Sequence, residues 1–514
     1  MQIFLFVLGA LLVISRRPDA LTTPQFFAED GSVWFADAYR FGFWHTLLLP
    51  DAGYLQTFPR LIAGLATLVP LLYAPLLMNI VGIAVQVLPV NLLASARLAS
   101  LGSLGARMLL AFIYLALPNS RELDVVITNA QWHLALIACL IMVANPPRNF
   151  VARSVDVFLL VLSGLTGPFC VILLALDAIL CWFRRRRWQL VSLTILAICA
   201  SLQIAVMLQA DPAIRYKAPL GASLRLLVDI ISSHVFLAAI FGSSNYTARL
   251  GFAALLLAAV AGAGVVAAAV IKARWEFRVV ILFCVLVFAA TLKSPLVSRT
   301  EPQWQVLNQA NGIRYWFFPM LAFLWSVVWF ATASRKRILR LSAIALLVLS
   351  IAGMARDWRY PPFPDRNFPQ YVARFEALPP GEALAFPLFP DGWTMQLVKG
   401  TKCQSAPFGA IDTPGEGQRV SGGVISVRGW ANAAAPVKDV EILLDKKEVA
   451  DVVPSIARPD VDSEYPGSLN RLKGWEGSVD TAKLSAGKHE VASRARLTNG
   501  CSAVIGTRSF EVLH

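Results

Sequence analysis

Two adjacent carboxylates, Glu29 and Asp30, stand in the stretch Phe27-Ala28-Glu29-Asp30-Gly31, just after the first apolar run of a mostly hydrophobic chain. An ionised side chain at the edge of a bilayer is costly unless function needs it. General acid–base chemistry on a substrate dissolved in the membrane is one such need, because a positioned carboxylate accepts a proton in the transition state. The plain alternative is a solvated loop that caps the next helix, since Asp and Glu both favour helix N-termini. Other chemistries lack their residues. There is no G-x-x-x-x-G-K-[ST] loop, strand-borne G-x-G-x-x-G, H-E-x-x-H or G-x-S-x-G. The five histidines are scattered singly, which argues against a metal held by His. No cofactor is implied with certainty; two carboxylates could hold a divalent cation, but oxygen-only sites have no diagnostic spacing here.

The elements that must position this pair are membrane helices. With 57% hydrophobic and 15% charged residues, the expected class is a mainly α, polytopic membrane protein. Apolar runs fall at roughly 1–15, 75–96, 104–118, 131–145, 154–165, 168–183, 188–208, 249–271, 277–292, 316–332 and 338–354. That predicts about eleven transmembrane helices, several shorter than the ~20 residues of a straight crossing. Basic residues cluster at every second connection: Arg97 and Arg107; Arg148 and Arg153; Arg184 to Arg187; Lys272, Arg274 and Arg278; Arg335, Lys336, Arg337 and Arg340. Such clusters stay cytoplasmic. The opposite set, residues 16–74, 119–130, 209–248 and 293–315 with everything after 355, is then external.

A single helix over 154–183 would be ~45 Å long against a ~30 Å hydrocarbon core, and would move Arg184 to Arg187 to the wrong side. Gly167-Pro168 is therefore read as the turn of a tight hairpin of short helices, with a tilted, kinked helix as the alternative. The first span fits poorly: no basic residue precedes it, and Arg16 and Arg17 follow it on the external side. It also lacks the features of a signal peptide. A start placed too far downstream would account for both. The net charge of +14 is largely cytoplasmic anchoring, and with no basic, aromatic-interleaved soluble face nucleic acid is rejected as a partner.

The cysteines agree with this layout. Cys139, Cys170, Cys181, Cys199 and Cys284 sit in or beside apolar runs, where a thiol behaves as a small hydrophobe. Cys403 and Cys501, alone in the tail, are a candidate disulfide in an oxidising compartment. The first external loop is rich in aromatics: Trp34, Phe35, Tyr39, Phe41, Phe43 and Trp44. That density suits interfacial helices over 33–45 and 57–72.

The motifs Pro24 to Gly31 (P-Q-F-F-A-E-D-G), Gly53-Tyr54-Leu55, Pro59-Arg60-Leu61 and Thr128-Asn129-Ala130-Gln131-Trp132-His133 lie on this frame. Together with the alternating basic clusters and a late Arg314-Tyr315 pair, they make the chain resemble the GT-C superfamily of polytopic glycosyltransferases. The resemblance covers about residues 1–400. It implies a sugar donor linked to polyprenyl phosphate and a glycan or glycolipid acceptor. It also implies a bacterial inner membrane location with periplasmic catalytic loops. By position the base is Asp30 or Glu29, with Asp30 favoured and Glu29 orienting it or binding sugar hydroxyls. A cation beside the departing lipid phosphate would stabilise its charge. Arg314, where an external loop enters a span, is the first candidate, and an interfacial anchor is its equal alternative. Lys293, Arg299, Arg215 and Lys217 are weaker ones. His133, beside Asn129 and Gln131, could hydrogen-bond phosphate or sugar, act as a second base, or sit as a satisfied interfacial histidine beside Trp132. Tyr54 and Arg60 fall within the resembling motifs and are carried as substrate-binding. Asp156, Asp177 and Asp229 suit helix ends or pairing inside the bundle. The apolar stretch 222–241 reads as a re-entrant helix or as interfacial turns.

From Asp357 the composition turns Pro-rich and polar. The domains expected are a transmembrane catalytic part, 1–356, carrying the loop 16–74; a small extension, 357–412; and a β-sandwich, 413–514. Short alternating runs at 424–427, 440–444, 449–453, 477–480, 489–495 and 509–513 predict its strands. The sandwich resembles bacterial immunoglobulin-like modules at Gly429-Trp430, Arg458 to Val461 and Tyr465 to Gly467. It either binds acceptor glycan or is a spacer. Against the glycosyltransferase stand a flippase or transporter of lipid-linked sugar, although no repeat is evident, and a glycan polymerase or ligase of the O-antigen type.

Overall fold

The structure, a computed structural model, describes every residue except 185–186, 211–217, 299, 310–311, 381, 401–405, 466–469, 483, 499 and 514. Arg185, Arg186, Arg215, Lys217, Arg299, Asn311, Cys403, Pro466 and Gly467 thus lie outside the described residues. Contacts divide the chain into two units. The first comprises Met1–Pro24, Pro50–Phe58 and Leu76–Phe363, and the second Gln25–Leu49, Pro59–Pro75 and Pro364–His514. Each is described by itself.

The first unit is a helical bundle. Among the described residues, seven helices are long and apolar enough to cross a membrane: Leu71–Ala94, Arg187–Gln209, Leu224–Phe241, Phe252–Lys272, Trp275–Lys293, Ile313–Ala333 and Arg337–Arg356. The expectation of about eleven spans is not met by length. Gln2–Arg16, Leu104–Leu115 and Ala130–Val143 are apolar but short, and Phe150–Gly164 and Phe169–Arg184 have 15 and 16 residues. Helices of that size reach only ~18 to 24 Å.

The last two form the hairpin expected at Gly167-Pro168. Arg97 bonds both Asp156, in the first half of the first, and the carbonyl of Asn145. Arg184, ending the second, bonds the carbonyl of Val143 at 2.9 Å. Both outer ends therefore meet the C-terminus of Ala130–Val143, and the chain reverses between them at Gly167, φ +84°. Asp177 accepts a 2.7 Å bond from Ser192 and another from Gln189. Asp156 and Asp177 are thus paired inside the bundle.

This end of the bundle collects basic residues. Arg107 bonds the Leu93 carbonyl at 2.7 Å, and Arg184 lies 3.8 Å from Glu276 and stacks on Trp275. The opposite end carries the longer loops. Leu224–Phe241 is flanked at both ends by segments of that loop end: Pro219 accepts from Gln303, and Ser243 donates to Asp357. Apolarity and length make it a candidate crossing, yet its two flanks share one side.

Arg16 and Arg17, which fit the sequence topology poorly, are buried at the loop end rather than exposed to headgroups. The Arg16 guanidinium bonds the carbonyls of Leu115 at 2.5 Å and Leu117 at 2.8 Å and lies 3.6 Å from Asp124. Arg17 reaches the Asp124 carbonyl and pairs with Asp19 at 3.7 Å. Burial lowers the affinity of Arg17 for its proton, and Asp19 and Asp124 oppose that.

In the second unit, the helix Phe368–Ala377 packs its Phe368 and Phe375 on Phe386 of an antiparallel hairpin. Counting two short strands of the first unit, β1 (Pro50–Asp51) and β2 (Tyr54–Leu55), the hairpin is β3 (Ala383–Pro387) with β4 (Thr394–Val398). The sandwich follows. β5 (Phe408–Thr413), β7 (Val424–Asn432) and β10 (Gly474–Asp480) form one sheet in the order β10-β7-β5. The other sheet holds β6 (Gln418–Ser421), β8 (Val437–Leu444), β9 (Lys447–Val452), β11 (Gly487–Leu497) and β12 (Ser502–Leu513), ordered β6-β12-β11-β8-β9. Val427, Ile442, Trp475, Val491 and Phe510 meet in its core, as alternating inward positions of two facing sheets should. Its first strand lies within the stretch expected for the extension.

Candidate functional site

At the loop end of the helical unit, β1 and β2 are joined through Ala52 and Gly53, both with positive φ, as a two-residue hairpin turn requires. Gln203, buried in Arg187–Gln209, stitches Leu55 to the hairpin turn: its Oε1 accepts the Leu55 N–H at 2.9 Å, and its Nε2 donates to the carbonyls of Leu55 and Gly167 at 3.2 Å. Gly167 is confined from another direction as well. A Cβ there would come within 2.4 Å of Gln131 Oε1. Gln131 in turn shares a hydrogen bond with the Tyr54 phenol, whose proton affinity burial pushes up to about 12, helped by Asp51 and Tyr315. Trp132 packs its ring on Phe169, Tyr315 and Phe318.

Arg314 and Tyr315 join the same cluster. The Arg314 guanidinium is ion-paired with Glu122, and its backbone N–H donates to the same carboxylate at 3.1 Å. Nη2 donates to the Leu296 carbonyl at 3.0 Å, and the Tyr315 hydroxyl accepts the Leu296 N–H at 3.0 Å. Asn129 donates to the Glu122 carbonyl at 2.7 Å. Five expected residues, Tyr54, Asn129, Gln131, Arg314 and Tyr315, are therefore neighbours in one polar patch. Glu122, which holds Arg314, was missed. Its signal was the charged run Arg121-Glu122-Leu123-Asp124 in a short external connection.

The remaining candidates sit elsewhere. His133 is 2% exposed. Its Nε2–H donates to the Leu123 carbonyl at 3.2 Å, and Nδ1 is within hydrogen-bond distance of the Tyr114 hydroxyl at 2.8 Å. Both ring nitrogens are used, which fits the satisfied histidine. Lys293 ends Trp275–Lys293, where a cation complements the helix dipole. Cys501 is disulfide-bonded and the five membrane cysteines are free thiols; Cys403, its expected partner, lies outside the described residues.

Glu29 and Asp30 belong to the second unit. Ala28, at φ +26°, turns the chain, and its N–H donates to the Phe389 carbonyl at 2.7 Å. Asp30 then opens a π-helical turn, Asp30–Phe35, with its own N–H on the Phe27 carbonyl. Gly31 is required here: a Cβ would meet Phe26 at 2.9 Å and Leu388 at 3.0 Å. Asp30 is 3% exposed, while Glu29 is only partly covered. The loop's aromatics serve this packing more than an interface. Trp34, Phe35 and Phe41 are buried, and Trp44 is the exposed exception. Arg60 is committed within the unit, 3.0 Å from Asp37, 2.8 Å from the Leu49 carbonyl and over the Trp34 ring. Burial raises Asp37 above the usual carboxylate range, and Arg60 and Arg40 pull against it.

No protein family matches the chain, and no curated protein does. Among solved structures it is similar to the fibronectin(III)-like modules of Clostridium thermocellum CbhA, at 14% identity and a TM-score of 0.15. That match covers 26% of this chain and 59% of the other, too slight a likeness to bear on fold or function.

Proposed function

We propose that this chain is a membrane glycosyltransferase that moves a sugar from a polyprenyl-phosphate-linked donor to a glycan or glycolipid acceptor on the periplasmic face of a bacterial inner membrane. The observation that supports this best is Asp30, a buried carboxylate held in a tight turn next to Glu29, in a chain whose other unit is a bundle of membrane helices. A sugar hydroxyl is a weak nucleophile whose proton must leave as its oxygen bonds to the anomeric carbon. Asp30 takes that proton, and the bond between the anomeric carbon and the lipid phosphate breaks with its electrons going to the phosphate. Glu29 orients Asp30 or binds sugar hydroxyls.

Asp30→Asn keeps the size of the side chain and removes its capacity to take the proton. Transfer of labelled sugar by the purified, folded variant should fall by ~10² to 10⁴. Full transfer by the variant overturns Asp30 as base. A transporter of lipid-linked sugar is the second reading, favoured by the pair of short helices that turn at Gly167-Pro168. Release of free polyprenyl phosphate by the purified protein separates the two, because transport leaves the sugar–phosphate bond intact.

A further inference from the structure

The loop end of the helical unit holds a cavity of about 310 Å³ whose walls include Arg121, Arg356 and Arg359, together with Asn119, Ser243 and Asp357. Asp357 is its only acid among the described residues, and that carboxylate is already used. Oδ2 accepts the N–H of Asn119 at 2.9 Å and of Ser243 at 2.7 Å, and Oδ1 accepts the Ser243 hydroxyl at 3.1 Å. Among the described residues the three arginines make no ion pair. Arg314, one residue from the cavity wall at Ile313, is by contrast already matched by Glu122.

The location adds to the argument. Arginines of membrane proteins concentrate at one end of the bundle, here the end of Arg97, Arg107 and Arg184. These three stand at the opposite end, against that bias. Arg356 is the last residue of a 20-residue apolar helix, so the cavity lies at the depth where that helix leaves the hydrocarbon. Guanidinium groups bind phosphate oxygens through paired, charge-assisted hydrogen bonds. A cavity that sets surplus arginine beside Ile313, Tyr360 and Pro361 at headgroup depth suits a phosphate that is tethered to an apolar chain.

We propose that this cavity binds the phosphate of a lipid headgroup through Arg121, Arg356 and Arg359. The binding does not rest on the glycosyltransferase reading. The probe is farnesyl phosphate, with farnesol as the uncharged control, titrated into the full-length protein in a neutral detergent. The double variant Arg121→Gln/Arg359→Gln should bind farnesyl phosphate at least ~10-fold more weakly, a loss of ~1.4 kcal/mol. Farnesol binding should not change. Arg121→Lys/Arg359→Lys, which keeps the charge, should recover part of the affinity and shows that the fold survives. Equal affinity of the wild type and the glutamine variant overturns the proposal. So does displacement of farnesyl phosphate by an equal concentration of inorganic phosphate, which would make this a site for the free ion. Asp30→Asn is the control that keeps the two proposals apart, because it should lose sugar transfer and retain farnesyl phosphate.

Discussion

Two sets of arginines share the loop end of the helical unit and differ in what faces them. Arg16, Arg17 and Arg314 each meet a carboxylate and also a main-chain carbonyl. Arg121, Arg356 and Arg359 line a cavity whose aspartate, Asp357, is spent on backbone N–H groups and a hydroxyl. The first set holds the fold together, and the second is available to a ligand. Residue type is the same in both, so burial and partners together distinguish a structural cation from a binding one: Arg16 and Arg17 are buried, whereas Arg121, Arg356 and Arg359 are exposed.

The largest test of this contrast is Asp124→Ala. It leaves the buried Arg16 guanidinium without its carboxylate, and breaking such a pair costs about 3 to 5 kcal/mol. Thermal unfolding of the purified protein should show it, and adding Arg16→Met should restore part of the loss. No change in melting would mean that carbonyls alone satisfy Arg16. A smaller effect follows from Glu122→Gln. The pair it breaks is partly exposed, so the stability loss should be about 1 kcal/mol. Its sharper signature is a gain: Arg314, no longer neutralised, should strengthen farnesyl phosphate binding, and an unchanged affinity would separate Arg314 from the cavity.

The smallest effect tests the same idea in the sandwich, where His489 donates from Nδ1 to Asp445 at 2.7 Å and from Nε2 to the Ser485 carbonyl at 2.8 Å. Both acceptors favour the imidazolium and raise its pKa above the usual 6.5. A group raised on folding stabilises the folded state most below its unfolded pKa and loses that share as pH rises through the folded value. Wild-type protein should therefore lose more of the sandwich's thermal stability between pH 6 and 9 than His489→Gln. Parallel profiles would remove His489 from the account.

Much of the fold was legible because it is written locally. The strands expected near 424, 440, 449, 477, 489 and 509 each fall on one of β7 to β12, the third running one residue past β9, since alternation of side chains is a property of a few consecutive residues. The hairpin at Gly167-Pro168 could be read from length and charge. Span length could not, because a 12-residue helix such as Leu104–Leu115 carries the same apolar signature as the middle of a long one. β5 and β6 escaped notice among turns. In the site, Tyr54, Gln131 and Arg314 were nameable from motifs, but Glu122 and the three cavity arginines acquire meaning only through partners far away in sequence. Arg60 was misleading for the same reason, since Asp37 and Leu49 already hold it.

The alternation of the chain between its two units bears on how it is made. Residues 25–49 and 59–75 leave the ribosome roughly 300 residues before the segment starting at Pro364 that completes their unit. Phe26, which ends edge-on against Phe368 at 5.5 Å, has no such partner through most of synthesis. The acidic turn beside it can reach its final form only after the last helix of the bundle has been made, so a chain cut short at that helix would carry both carboxylates and lack their scaffold.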